Sequence, residues 1–89
     1  MADKLFDFTI LCPEKTVYKA RIASLVAPCD RGYLGVLADH APLLAAVVPG
    51  TLTVRTAHTV KTFTVKEGGF LEAAQNSVTV LAKAVEPSA

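Results

Sequence analysis

Residues 51–57, TLTVRTA, alternate strictly: Leu52, Val54 and Thr56 share one parity, and Thr51, Thr53 and Arg55 the other. A period of two is that of a strand with one face buried and one face wet. Residues 16–28, TVYKARIASLVAP, carry the same period, with Tyr18, Ala20, Ile22, Ser24 and Val26 on one side and Val17, Lys19 and Arg21 on the other. The stretches VKTFTV (60–65) and SVTVLA (77–82) are rich in β-branched residues, whose stiff side chains favour an extended backbone. A helical reading of residues 71–86 competes, because Leu71, Ala74, Val78, Leu81 and Val85 recur at helical spacing. Val78-Thr79-Val80 and the turn-like Asn76-Ser77 weigh for strand.

Turn formers fall between these runs at short intervals: Pro13-Glu14-Lys15, Cys29-Asp30-Arg31-Gly32, Pro49-Gly50, Ala57-His58, Gly68-Gly69 and Gln75-Asn76-Ser77. Pro49-Gly50 predicts a type II turn, with Pro setting φ at the second position and Gly accepting positive φ at the third. Gly68 and Gly69 read as turn or bulge glycines. The ending KAVEPSA reads as a frayed tail. With no room for long crossovers, the expectation is an all-β fold, an antiparallel β-sandwich or barrel of about eight to ten short strands.

Composition adds a partner to this picture. The chain has 89 residues, enough for one domain, yet 52% are hydrophobic and 19% charged, against typical shares of about 45–50% and about 25%. A small fold cannot hide that much apolar side chain by itself. The net charge of +1 comes without a basic cluster, so nothing marks a nucleic-acid partner. The longest apolar run, residues 41–48, is far shorter than the ~20 residues of a membrane span. The acidic N-terminus lacks a secretory pattern, and the expected compartment is the cytoplasm.

Candidate chemistry is sparse. Asp39-His40 could orient a general base, but neighbours on a strand point to opposite faces and no nucleophile accompanies them. The pair reads instead as a turn, or His40 as part of a contact surface. Cys12 and Cys29 lack metal or redox spacing and read as free thiols. His58 reads as a turn residue, and no metal set is expected. The glycines match no phosphate loop, and Lys83 does not lie in a hairpin of the kind that carries biotin or lipoate. A stand-alone ligand-binding module needs an aromatic-lined concavity, which two tyrosines, four phenylalanines and no tryptophan support poorly. Neither catalysis nor a cofactor is expected.

Taken in order, ILCPEKTVYKA, CDRGYLGVLADHAPLLAAVVPGTLTV and FTVKEGGFLEAAQNSVTVLAKAVE closely resemble the N-terminal domain of the epsilon subunit of F-type ATP synthases. The resemblance covers about residues 6–86. The combination of GYLGVLADHAPLL, PGTL and GGFLE makes it specific. It implies a single, flattened epsilon-type β-sandwich domain over residues 1–89, with about ten strands, that performs no chemistry. Such a domain sits on the rotating central stalk, between the gamma subunit and the c-subunit ring, peripheral to the cytoplasmic face of the bacterial inner membrane. It helps fasten gamma to the ring so that ion-driven rotation reaches the catalytic head.

Residue by residue, the resemblance places Asp30, Arg31, Gly32 and Tyr33 against the c ring, and Cys12, His40, Ala45, Glu67 and Glu72 on or near the gamma-facing surface. Tyr33 stands where the family commonly has an acid, so Asp30 takes over the pairing or the contact is more apolar. Many family members continue into a two-helix C-terminal domain that inhibits ATP hydrolysis and in some binds ATP. If 89 residues is the natural length, the expectation is neither that hairpin nor an ATP site, with coupling and assembly as the remaining roles.

Overall fold

The computed structural model describes residues 4–88; residues 1–3 and 89 of the expected single-domain span lie outside the described residues. The described chain is all strand: β1 (Phe6–Cys12), β2 (Lys15–Ile22), β3 (Ser24–Cys29), β4 (Gly32–Leu37), β5 (Leu43–Val47), β6 (Gly50–Arg55), β7 (Val60–Ala74) and β8 (Ser77–Pro87). Residues 71–86 form no helix.

All eight strands belong to one hydrogen-bonded sheet in the order β2-β1-β8-β7-β5-β3-β4, with β6 also between β3 and β7. β5 and β6 lie end to end there. β5 pairs with Leu43↔Ala73 through Val47↔Gly69, and β6 with Gly50↔Val65 through Arg55↔Val60. The sheet folds over so that Phe6, Phe8 and Ile10 of β1, all fully buried, share one core with Leu25, Leu52, Val54 and Phe63. Each of these large side chains contributes about 1.5–3 kcal/mol by leaving water. No described polar or charged residue is buried.

Glycine marks where strands approach most closely. A Cβ on Gly68 would stand 2.0 Å from the Val47 carbonyl oxygen, and one on Gly69 would stand 1.9 Å from that of Leu81. Gly68 and Gly69 therefore admit the backbones of β5 and β8 where larger residues could not. They sit inside β7, beside a bulge between Val65 and Glu67, and do not reverse the chain. Pro49-Gly50 is likewise no type II turn: Gly50 has φ of 159°, far from the roughly +80° of that turn, and leads straight into β6. All four residues expected at turns lie at the junction of β5 and β6 or in the part of β7 that faces it.

Three further expectations are corrected. The strand count is eight, below about ten, because β7 and β8 run unbroken for 15 and 11 residues where punctuation implied shorter pieces. One pairing is parallel, β1 with β8 from Asp7↔Ser77 to Leu11↔Leu81. Residues 16–28 are two strands, and the parity reverses at the bend of Ala23: Leu25 is buried and Val26 is 40% exposed. A one-residue slip in a period of two moves every later side chain to the other face. The last described residue, expected in a frayed tail, is tied down, since Ser88 N donates to the Thr62 carbonyl at 3.0 Å.

Candidate docking surface

The residues assigned to the c ring form the tip of the β3–β4 hairpin. Asp30-Arg31 make the turn, and Gly32 completes it at φ 108°, a conformation that favours glycine. Asp30, Arg31, Gly32 and Tyr33 are exposed, Tyr33 to 65%. The tip is anchored, because Asp30 N donates to the Ala46 carbonyl at 3.1 Å. A groove of about 430 Å³ runs beside it, lined by Cys29 to Leu34 and Leu43 to Ala46. Burial, and then the charge of Asp30, push the Cys29 thiol above its ordinary pKa.

The residues assigned to gamma separate into different environments. Glu72 is exposed on β7, opposite Leu44 on one side and Thr79 on the other. Glu67 is exposed at the bulge, opposite Ala84. Cys12 packs partly on the core and also borders a depression of about 480 Å³ with Leu11, Gly69, Phe70 and Leu81. Ala45 packs against the core opposite Leu71, so its side chain does not share the outward face of Leu44.

His40 is a brace. Its Nδ1 lies 3.0 Å from the Leu37 carbonyl oxygen and its Nε2 2.7 Å from that of Ala74, and its ring meets the buried Phe6 edge-on at 5.3 Å. Asp39 takes up φ 62° in the preceding turn and its carboxylate accepts from Lys4 Nζ at 2.9 Å. That bond raises the Lys4 pKa. The pair Asp39-His40 thus serves the loop, and no nucleophile is bonded to the imidazole. His58 lies in an exposed turn whose backbone N–H groups at His58 and Thr59 donate to Thr56 Oγ1. Among the described residues no three His, Cys, Asp or Glu side chains converge as a metal set.

The most telling surface was not among the expected site residues. Leu11, Leu81, Phe70 and Ala46 stand side by side across β1, β8, β7 and β5. Phe70 is 56% exposed, Leu81 54%, and Leu44, next along β5, 68%. At the roughly 4.8 Å spacing of strands, this makes an apolar row some four strands wide, flanked by Glu72 and Lys83. The signal was present in the sequence: Leu43-Leu44, Phe70-Leu71 and Val80-Leu81-Ala82 break the alternation with adjacent apolar residues. A strand written that way is apolar on both faces.

The family described as ATP synthase, Delta/Epsilon chain, beta-sandwich domain matches residues 5–88. Similar proteins include the ATP synthase epsilon chain of Moorella thermoacetica, 42% identical over 82 residues, covering 92% of this chain and 61% of that protein. The epsilon chain of Leptospira borgpetersenii is 41% identical over 75 residues, covering 84% and 58%. The chain thus spans about three fifths of the length of these relatives. In fold, it superposes on a chain of the Euglena gracilis mitochondrial ATP synthase with a TM-score of 0.87 at 19% identity, covering 98% of this chain and 56% of that one. A chain of the Tetrahymena thermophila mitochondrial ATP synthase central stalk and c-ring gives 0.76 at 20%, covering 96% and 68%. Paired glycines that admit neighbouring backbones, an anchored hairpin tip and a match from end to end of the described strands converge: the chain belongs to the ATP synthase delta/epsilon chain β-sandwich domain family.

Proposed function

We propose that this domain is a non-catalytic part of the central stalk of a rotary F-type ATP synthase. It fastens the gamma subunit to the c-subunit ring so that ion-driven rotation is coupled to ATP synthesis in the complex. The observation that carries the reading is the apolar row Leu11–Leu81–Phe70–Ala46 with Leu44, held on a rigid sheet in a chain of this family. Cross-strand bonds pre-organise that row, so docking orders little backbone and the gain from apolar burial is retained as affinity. A contact of standard size buries on the order of 1,600 Å² in total.

In this reading the apolar row faces gamma, with Glu72, Glu67 and Cys12 around it, and the hairpin of Asp30, Arg31, Gly32 and Tyr33 faces the polar loops of the c ring. His40 and Ala45 contribute from behind, by holding the loop and the core. The chain takes no cofactor, ATP or nucleic acid, does not insert in the membrane, and acts peripherally at the cytoplasmic face of the bacterial inner membrane. Titration calorimetry with the gamma subunit of the same organism tests the reading. Equimolar binding with a negative heat-capacity change is expected. Absence of binding both to folded gamma and to gamma assembled on the c ring overturns it.

A further inference from the structure

Both ring nitrogens of His40 meet carbonyl oxygens, Nδ1 that of Leu37 at 3.0 Å and Nε2 that of Ala74 at 2.7 Å. A carbonyl oxygen only accepts. A neutral imidazole carries one N–H, so in either tautomer one of the two contacts sets a nitrogen lone pair against an oxygen lone pair. Only the imidazolium, with an N–H at each end, donates to both. The ring is half-buried and packs edge-on against Phe6, which is fully buried, so swinging it into water to relieve the mismatch uncovers the core.

The charged groups around the ring are engaged elsewhere. On its own loop, Asp39 is bonded to Lys4 at 2.9 Å. On β1, which supplies Phe6, Asp7 lies 3.8 Å from Arg21. On β7, which supplies Ala74, Glu72 is exposed and stands opposite Leu44 and Thr79. Arg55 of β6, which borders the depression beside Leu37 and Asp39, donates to Ser24 Oγ. β4 and β5 carry no charge, and the turn after Ala74 is Gln75-Asn76. Among the described residues no carboxylate pairs with His40. What a second proton on the ring meets is therefore the pair of carbonyl oxygens.

We propose that His40 is an acid-tightened latch. A second proton lets the ring donate to Leu37 and Ala74 at once, and its loss releases one end of the loop between β4 and β5. Hydrogen bonds from a charged donor are roughly twice as strong as neutral ones. Protonation adds a bond that the folded chain makes and the unfolded chain does not. The contribution is therefore present in full below the ordinary histidine value of about 6.5, and is lost as the pH rises through and above it. The latched loop leads directly into β5, whose second residue is Leu44. Acid thus fixes one corner of the exposed apolar row. Any effect of that on docking rests on the function proposed above; the latch itself does not, and its test needs this chain alone.

Thermal unfolding of the parent, His40→Gln and His58→Gln, between about pH 5.5 and about pH 8, reads the latch, because histidine is the side chain that ordinarily changes charge in that range. The gap in melting temperature between the parent and His40→Gln is expected to widen by about 4–8 °C toward the acid end. His58→Gln, altered in an exposed turn, is expected to follow the parent throughout. Nuclear magnetic resonance of the parent supplies a readout that does not depend on a variant folding. At the acid end both ring N–H protons of His40 are expected to be visible and protected from exchange with water, and those of His58 are not. Parallel melting curves for the parent and His40→Gln, a gap that widens for His58→Gln instead, or a ring N–H of His40 that exchanges as freely as those of His58 overturns the proposal.

Discussion

His40 and Ala74, 34 residues apart in sequence, are joined by a 2.7 Å contact between the imidazole Nε2 and the Ala74 carbonyl oxygen. The same ring reaches Leu37 O, so one side chain ties the loop after β4 to the end of β7. Its edge rests on Phe6 in the core.

His40→Ala is therefore expected to act on stability before it acts on binding. Losing the brace and leaving a carbonyl short of a partner costs about 1–2 kcal/mol. In a domain of this size each kcal/mol shifts the melting temperature by about 4–8 °C. Thermal unfolding followed by circular dichroism checks this. Unchanged melting would show that the brace is dispensable and return His40 to the list of pure surface contacts.

Gly69 and Gly35 are expected to behave oppositely. Gly69→Val forces a side chain into the Leu81 carbonyl, with a cost of about 1–3 kcal/mol or more, and lowers gamma binding with it. Gly35→Ala meets open space and leaves stability unchanged or slightly raised, by up to about 1 kcal/mol, through the unfolded state. Denaturant titration of the pair decides the matter. Equal midpoints would remove the claim that close backbone approach selects glycine at position 69.

Phe70→Ala and Leu81→Ala truncate the exposed apolar row. Both side chains are more than half exposed, so melting should stay within about 0.5 kcal/mol of the parent. Loss of a buried anchor in an interface costs about 2 kcal/mol or more, roughly thirtyfold in Kd. Calorimetric titration with gamma that finds parent-like affinity for both would move the interface off this row.

Burial raises the pKa of Cys29, with Asp30 adding to it, and that of Tyr18, which packs between Phe8 and Phe63. In both groups the fold favours the neutral form. Their contribution is present in full below the unfolded values, 9.0 and 10.0, and is lost as the pH climbs through and above them. Stability should fall from about pH 9 upward, and Tyr18→Phe should flatten the alkaline part of that fall. At neutral pH, iodoacetamide should label Cys12 well before the buried Cys29. Mass spectrometry of the timed reaction tests this, and equal labelling in the folded chain contradicts it.

What the sequence determined by itself was the type of element. The alternation around Leu52 and Val54 and the β-branched runs at 60–65 and 77–82 demand strands, because period and χ1 stiffness are local properties. The hairpin at Asp30-Arg31-Gly32 was legible for the same reason. The order of residues also resembled one family strongly enough to name it, and residues 5–88 match that family. Tertiary structure alone decided which glycines turn the chain and which let strands touch. Gly68 and Gly69 answer to the carbonyls of Val47 and Leu81, partners far off in sequence. The reversal of face at Ala23, the parallel pairing of β1 with β8, and the reach of His40 to Ala74 are non-local in the same sense. So is the apolar row: Leu11, Leu81, Phe70 and Ala46 become one surface only when four strands set them side by side. Local chemistry writes the strands, and register, which depends on every neighbour at once, assembles from them one exposed apolar surface.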